Sequence, residues 1–164
     1  MALNAAIALF AAWLLLNPAR DALRPQAYGA ATALGLPGAE RVRTTAADAE
    51  ALRGIAVELE SRCGTFFSLP GMNSLYVFTG LEPPTGMNVG NWMFQLETDD
   101  QLEVRRELAD VADLCVVRNR ALVEFWASGR PLPRRPLLAW IESRFRPVFR
   151  VGGYELLEPE RPLR

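Results

Sequence analysis

Apolar runs of different period succeed one another along the chain, and the period of each predicts an element. Leu52, Ile55, Ala56, Leu59 and Cys63 recur at helical spacing, so Ala46 to Arg62 is predicted as an amphipathic helix with one buried face. Thr45 stands at its cap position, with Asp48 as a capping-box partner. The run Thr65-Phe66-Phe67-Ser68-Leu69 is β-branched and aromatic, which predicts a buried strand that Pro70-Gly71 stops. Leu114-Cys115-Val116-Val117 is continuously apolar and predicts a central strand covered on both faces. Val148 to Val151 and Tyr154 to Leu157 flank Gly152-Gly153, the pattern of a hairpin with a two-residue turn.

Between these blocks the pattern is looser. Leu75 to Thr79 has strand-like residue types, but Asn73 or Ser74 can cap a short helix and Pro83-Pro84 follows closely, so a helix is predicted. Trp92 to Leu96 is an apolar patch expected against the sheet edge. Thr98, with Gln101 three residues later and two acids between, predicts a helix start, and Val104, Leu108 and Val111 form its buried face. Asn119 can cap the next helix, whose Leu122, Phe125 and Trp126 are expected to pack inward before Gly129 ends it. Pro136 opens a last helix with Leu137, Trp140, Ile141 and Phe145 on one side. Arg41-Val42-Arg43 alternates as an edge strand does.

Together these elements predict a small three-layer α/β domain. Its short parallel sheet holds Thr65–Leu69 and Leu114–Val117, with the antiparallel hairpin at one side. Met1 to Leu16 is apolar all round except for Asn4, and Asn17-Pro18 ends it. It is short of the ~20 residues that span a bilayer. Three readings stay open for it: the remnant of a last membrane helix, a signal-like segment, or an apolar helix covering the domain. The resulting division is an apolar, membrane-type helix over residues 1–24, a linker over 25–40, the α/β domain over 41–158 and a tail over 159–164.

Composition removes several kinds of chemistry. The 164-residue chain has no histidine, which excludes every Ser-His, Cys-His and His-metal scheme. A net charge of −1 provides no basic field for nucleic acid. All 18 basic residues are arginine and alanine is abundant, a composition associated with high-GC bacterial genomes. Cys63 and Cys115 are too few for a zinc site. If the strands they adjoin are neighbours, the two come level and a disulfide is open to them; otherwise they are buried, reduced and act as small apolar groups.

The segments PGMNSLYVFTG and EPPTGMNVGNWM, followed by an acidic helix start with Gln101, resemble the C-terminal soluble domain of bacterial multi-spanning glycosyltransferase-like membrane proteins, in the dolichyl-phosphate-mannose–protein mannosyltransferase-like group. The likeness runs over roughly Leu36 to Leu157 and includes Leu36-Pro37-Gly38-Ala39 and Val117-Arg118-Asn119 followed by Phe125-Trp126. It implies a bacterial inner-membrane protein with this domain on the periplasmic side, anchored through the N-terminal helix. It also implies a polyprenyl-phosphate sugar or glycan as a partner. That family's catalytic acids lie in an early loop between membrane helices. No position here matches them, so the resemblance implies no catalytic residue and no cofactor in this chain.

Candidate binding residues follow from the sheet. Ligands of open parallel sheets bind beyond the carboxyl ends of the strands. Those ends carry Asn73, Ser74 and Arg118, and the stiff Pro83–Asn88 loop can bring Thr85 and Asn88 to them. Hydroxyls, amides and one guanidinium suit a polyol or a phosphate; the same residues also serve routinely to satisfy loop backbone. Glu82 before Pro-Pro is read as a solvated turn residue rather than a base, and Trp92, Trp126 and Trp140 as core or shielding residues rather than sugar platforms. Two classes of function result. One is a non-catalytic C-terminal extracytoplasmic domain of a membrane glycosyltransferase-like protein acting on lipid-linked sugars. The other is a stand-alone, membrane-tethered binding module for a polar ligand such as a glycan or anionic lipid headgroup.

Overall fold

A computed structural model describes residues 28–161. The predicted helix at Met1 to Leu16 lies outside the described residues, among which no helix is long and apolar enough to cross a membrane. A two-residue ribbon, β1 (Thr32–Ala33) against β2 (Arg43–Thr44), leads into helix α1 (Ala46–Arg62). Strand β3 (Thr65–Leu69) follows, then the short helices α2 (Ser74–Thr79) and α3 (Trp92–Gln95) and the longer α4 (Thr98–Ala109). Strand β4 (Leu114–Asn119) leads through α5 (Arg120–Ala127) and α6 (Pro136–Arg144) to the hairpin β5 (Phe145–Val151) and β6 (Tyr154–Pro159).

The four longer strands form one mixed sheet in the order β3-β4-β6-β5. β3 and β4 are parallel, as their apolar runs predict, and the hairpin enters through β6, antiparallel to β4. Strand alternation then sorts side chains into two cores. Phe66, Cys115, Val117 and Leu156 join Ile55 and Leu59 of α1 and Leu75 and Tyr76 of α2. Phe67, Leu69, Val116 and Leu157 join Val104 and Leu108 of α4 and Leu137, Leu138 and Ile141 of α6. Helices therefore cover both faces of the sheet.

Several local expectations shift by a residue or more. Thr45 is not one of them: it caps α1 as expected, its Oγ1 accepting the Asp48 amide at 3.1 Å. The cap of α4 is Glu97 rather than Thr98, and the Asp100 carboxylate accepts the Glu97 amide at 3.1 Å. Gln101 is buried and donates to the Leu96 carbonyl instead of serving the cap. The segment expected to be a linker contributes β1 and the fully buried Leu34 to the domain. β5 begins at Phe145, three residues before the expected strand, because it runs directly out of α6. Phe125 and Trp126, expected inside, are 68% and 40% exposed.

β3 is an outer strand, and its open edge is covered by the loop between α2 and α3. The carbonyls of Phe66 and Ser68, two residues apart and so on one side of the strand, accept from Tyr76 Oη at 2.7 Å and Trp92 Nε1 at 2.9 Å. Thr65 Oγ1 donates to the Glu82 carbonyl at 2.6 Å, and the Gly71 amide donates to the Gly90 carbonyl at 2.8 Å. The 82–90 segment therefore runs along the strand from its start to its end, and Pro83-Pro84 adds no amide for another strand to pair with. Gly71 is required here, since a Cβ would run into the Val89 carbonyl. On the hairpin, Gly152 adopts a left-handed φ of 52° against Ala51 of α1, where a side chain would again collide.

A disulfide joins Cys63, the residue after α1, to Cys115 in β4, with Cα atoms 5.8 Å apart. It fastens α1 to the centre of the sheet across a sequence separation of 52. The chain-entropy model assigns such a loop about 4 kcal/mol. The Cys63→Ala/Cys115→Ala double variant is expected to lose stability on that scale in urea titrations, and reductant should lower the midpoint of the wild type but not of the variant.

Candidate functional site

Arg118 is the penultimate residue of β4 and extends a row of cross-strand neighbours at the carboxyl end of the parallel pair. Leu69 of β3 lies opposite Arg118, Arg118 opposite Glu155 of β6, and Glu155 opposite Arg150 of β5. The alternation that sends Val116 and Leu157 to the α4–α6 face sends Arg118 and Glu155 to that face too. Glu155 is buried, and its carboxylate takes three guanidinium groups. Oε2 accepts from Arg118 Nε at 2.6 Å and from Arg120 Nε at 3.1 Å, while Oε1 accepts from Arg150 Nε at 3.0 Å. Arg120 is the first residue of α5, which the Asn119 side chain caps by accepting the Leu122 amide at 3.1 Å.

Burial pushes the Glu155 pKa up, but the hydrogen bonds from Arg120 and Arg118 outweigh it and hold the carboxyl below its ordinary value. Glu155 is thus an ionised anchor. All three arginines contact it through Nε, which leaves Nη donors over, since each guanidinium carries five N–H groups and the bonds to the anchor use one of them.

Beside this cluster lies a cleft of about 260 Å³ between α5 and α6. Leu69, Val123, Leu132 and Leu138 supply apolar walls, and Arg118, Arg120, Glu124 and Glu142 supply donors and acceptors. Its volume is below the ~300–1,000 Å³ of drug-sized sites, which suits a single small polar unit. The position is the one expected for ligands of an open sheet, outside the carboxyl ends of parallel strands.

The five residues expected to converge separate into two groups. Asn73, Thr85 and Asn88 meet in the loop that covers β3: Asn73 Nδ2 donates to the Asn88 carbonyl at 2.9 Å, and Asn88 Nδ2 to the Thr85 carbonyl at 3.0 Å. Thr85 is buried, and its Oγ1 has no partner among the described residues. Ser74 is exposed at the start of α2. None of these four lines the cleft that Arg118 enters. The sequence reading missed Glu155, Arg120 and Arg150. Arg150 and Glu155 are legible as a cross-strand pair two residues from the Gly152-Gly153 turn, since hairpin register follows from turn length.

Among the described residues no group of three or more metal-ligating side chains is assembled. No family model, no curated protein and no solved structure matches the chain.

Arg120 and Arg150 are more than half exposed, so solvent screens their share of the clasp. Glu155→Gln is expected to cost about 1–3 kcal/mol in urea titrations at neutral pH. The folded pKa lies below 4.5, so the contribution of Glu155 is complete above that pH and is lost as pH falls through the folded value. The wild type should accordingly lose more stability than Glu155→Gln on acidification through that range.

Proposed function

We propose that this domain is a non-catalytic, extracytoplasmic binding domain that receives a small anionic sugar unit in the Arg118 cleft, working alone or as the tail of a larger glycosyltransferase-like membrane protein. The observation that carries the reading is the Glu155 clasp. It holds three guanidinium groups at the end of the sheet, and two of them, Arg118 and Arg120, line a cleft whose remaining walls combine apolar surface with carboxylates. Guanidinium groups supply paired donors to a phosphate or carboxylate, the carboxylates accept from sugar hydroxyls, and the leucines pack against the ring's apolar face. Holding the donors in place before the ligand arrives reduces the entropy lost on binding.

The rest of the arrangement favours binding over catalysis. The carboxylate nearest the arginines is ionised and occupied on both oxygens, which suits an anchor and not a proton carrier. The Cys63–Cys115 disulfide supports an oxidising compartment such as the periplasm, the side the sequence resemblance implies. An N-terminal membrane anchor is part of the same proposal and rests on the apolar Met1 to Leu16 segment.

Titration of the labelled protein with glucose 1-phosphate, glucose and inorganic phosphate, followed by amide NMR shifts, tests the reading. Glucose 1-phosphate should give saturable shifts at Arg118, Val123 and Leu138 and bind more tightly than either part alone. Arg118→Ala should weaken it by about 1–3 kcal/mol, the scale of a charged hydrogen bond. The fold should survive, because Glu155 keeps Arg120 and Arg150. Absence of saturable shifts around the cleft with all three probes would sink the proposal.

A further inference from the structure

Helix α5 is oriented against the usual pattern of a surface helix. Its charged residues Arg120 and Glu124, one turn apart, border the cleft together with Val123. The opposite side carries Ala121, Leu122, Phe125 and Trp126. Of these only Leu122 packs against the core, while Phe125 and Trp126 stand out as an edge-to-face pair with ring centroids 5.4 Å apart. An apolar helical face turned outward is a contact surface without its partner. Just beyond α5, Arg130 and Arg134 are exposed in the loop that leads to α6.

The place of α5 in the fold indicates what that partner is. α5 starts at the end of β4, where Asn119 pairs with Tyr154 beside the Gly152 turn, and that turn rests on Ala51 near the start of α1. Ala30, Ala31 and Thr32 lie against Thr45 and Ala46, at that same start. The chain upstream of residue 28, with its apolar stretch from Met1 to Leu16, therefore joins the domain at the end of the sheet that carries α5. An exposed aromatic pair on α5, exposed arginines in the loop just beyond it, and a chain that enters at the same end of the sheet after an apolar stretch in sequence together match the chemistry of an anionic bilayer surface.

We propose that the outer face of α5 docks into the interfacial layer of an anionic membrane, with Phe125 and Trp126 at the boundary between headgroups and acyl chains and Arg130 and Arg134 against lipid phosphates. Tryptophan suits this layer because its ring is apolar and its N–H still finds a hydrogen-bond acceptor there. The docking goes beyond the cleft reading and stands without it. Where both hold, the inner side of α5 presents the cleft directly to headgroups at the membrane surface.

Tryptophan emission of the full chain with phosphatidylcholine–phosphatidylglycerol vesicles tests the docking, since the difference between wild type and Trp126→Phe isolates Trp126 from Trp13, Trp92 and Trp140. The expected result is that vesicles blue-shift this difference emission, protect it from iodide and make it quenchable by lipids brominated near the headgroup. Both Phe125→Asp and removal of phosphatidylglycerol should reduce the quenching. A Trp126 signal that stays iodide-accessible with vesicles present would overturn the proposal. So would protection that rises with protein concentration in the absence of vesicles, which would mean that a second copy covers α5. Glucose 1-phosphate binding by Phe125→Asp separates the two readings: retained binding with lost docking leaves the cleft intact, and docking without any sugar-phosphate binding removes only the cleft.

Discussion

The carboxyl end of the sheet is organised around one carboxylate. Among the described residues Glu155 is the only buried charged side chain, and it is tolerated in the sheet because three guanidinium groups neutralise it and occupy both oxygens. Removing one partner of a buried ion pair is costly because it leaves an uncompensated buried charge. Here the clasp reaches β4, β5, β6 and the first residue of α5 at once. A one-residue slip of β6 would carry Glu155 to the face packed by α1, away from all three arginines, so the clasp penalises that alternative pairing.

The covered edge of β3 is the second constraint, and it determines what the loop residues do. Tyr76 and Trp92 satisfy two strand carbonyls, and Asn73 and Asn88 tie the 82–90 segment to itself and to the strand end. A segment rich in Pro, Gly and Asn has the composition of a binding loop, yet here the Asn73 and Asn88 side-chain amides are turned toward loop carbonyls. Protecting an outer strand from pairing with other chains requires the same chemistry as recognising a ligand: stiff backbone, short amides and well-placed hydroxyls.

That overlap explains what the sequence made legible. The long elements were readable from period, apolar runs and cap residues taken together, apart from the start of β5, and the parallel pairing of β3 with β4 followed from two apolar runs separated by helices. Cap positions shifted where two acids and a threonine competed for one helix start, as at Glu97 and Thr98. Phe125 and Trp126 were assigned inward because apolar residues at helical spacing normally mark a core face, and nothing in the spacing says which side of α5 meets the sheet. Arg118 was legible as the cation at a strand end. Its partner was not, because Glu155 reaches it only through the β4–β6 pairing, and a long-range pairing leaves no local signal.

The clasp holds Arg118 and Arg120 at the rim of the cleft, and its coupling can be observed directly. The guanidinium Nε–H resonances of Arg118, Arg120 and Arg150 report on it in a pH titration of the native protein. The account predicts that all three shift together as Glu155 takes up its proton below its ordinary value, with the Arg118 resonance the slowest to exchange because its side chain is only 19% exposed. Three resonances that titrate independently, or an Arg118 Nε–H that exchanges as fast as free arginine, would contradict it.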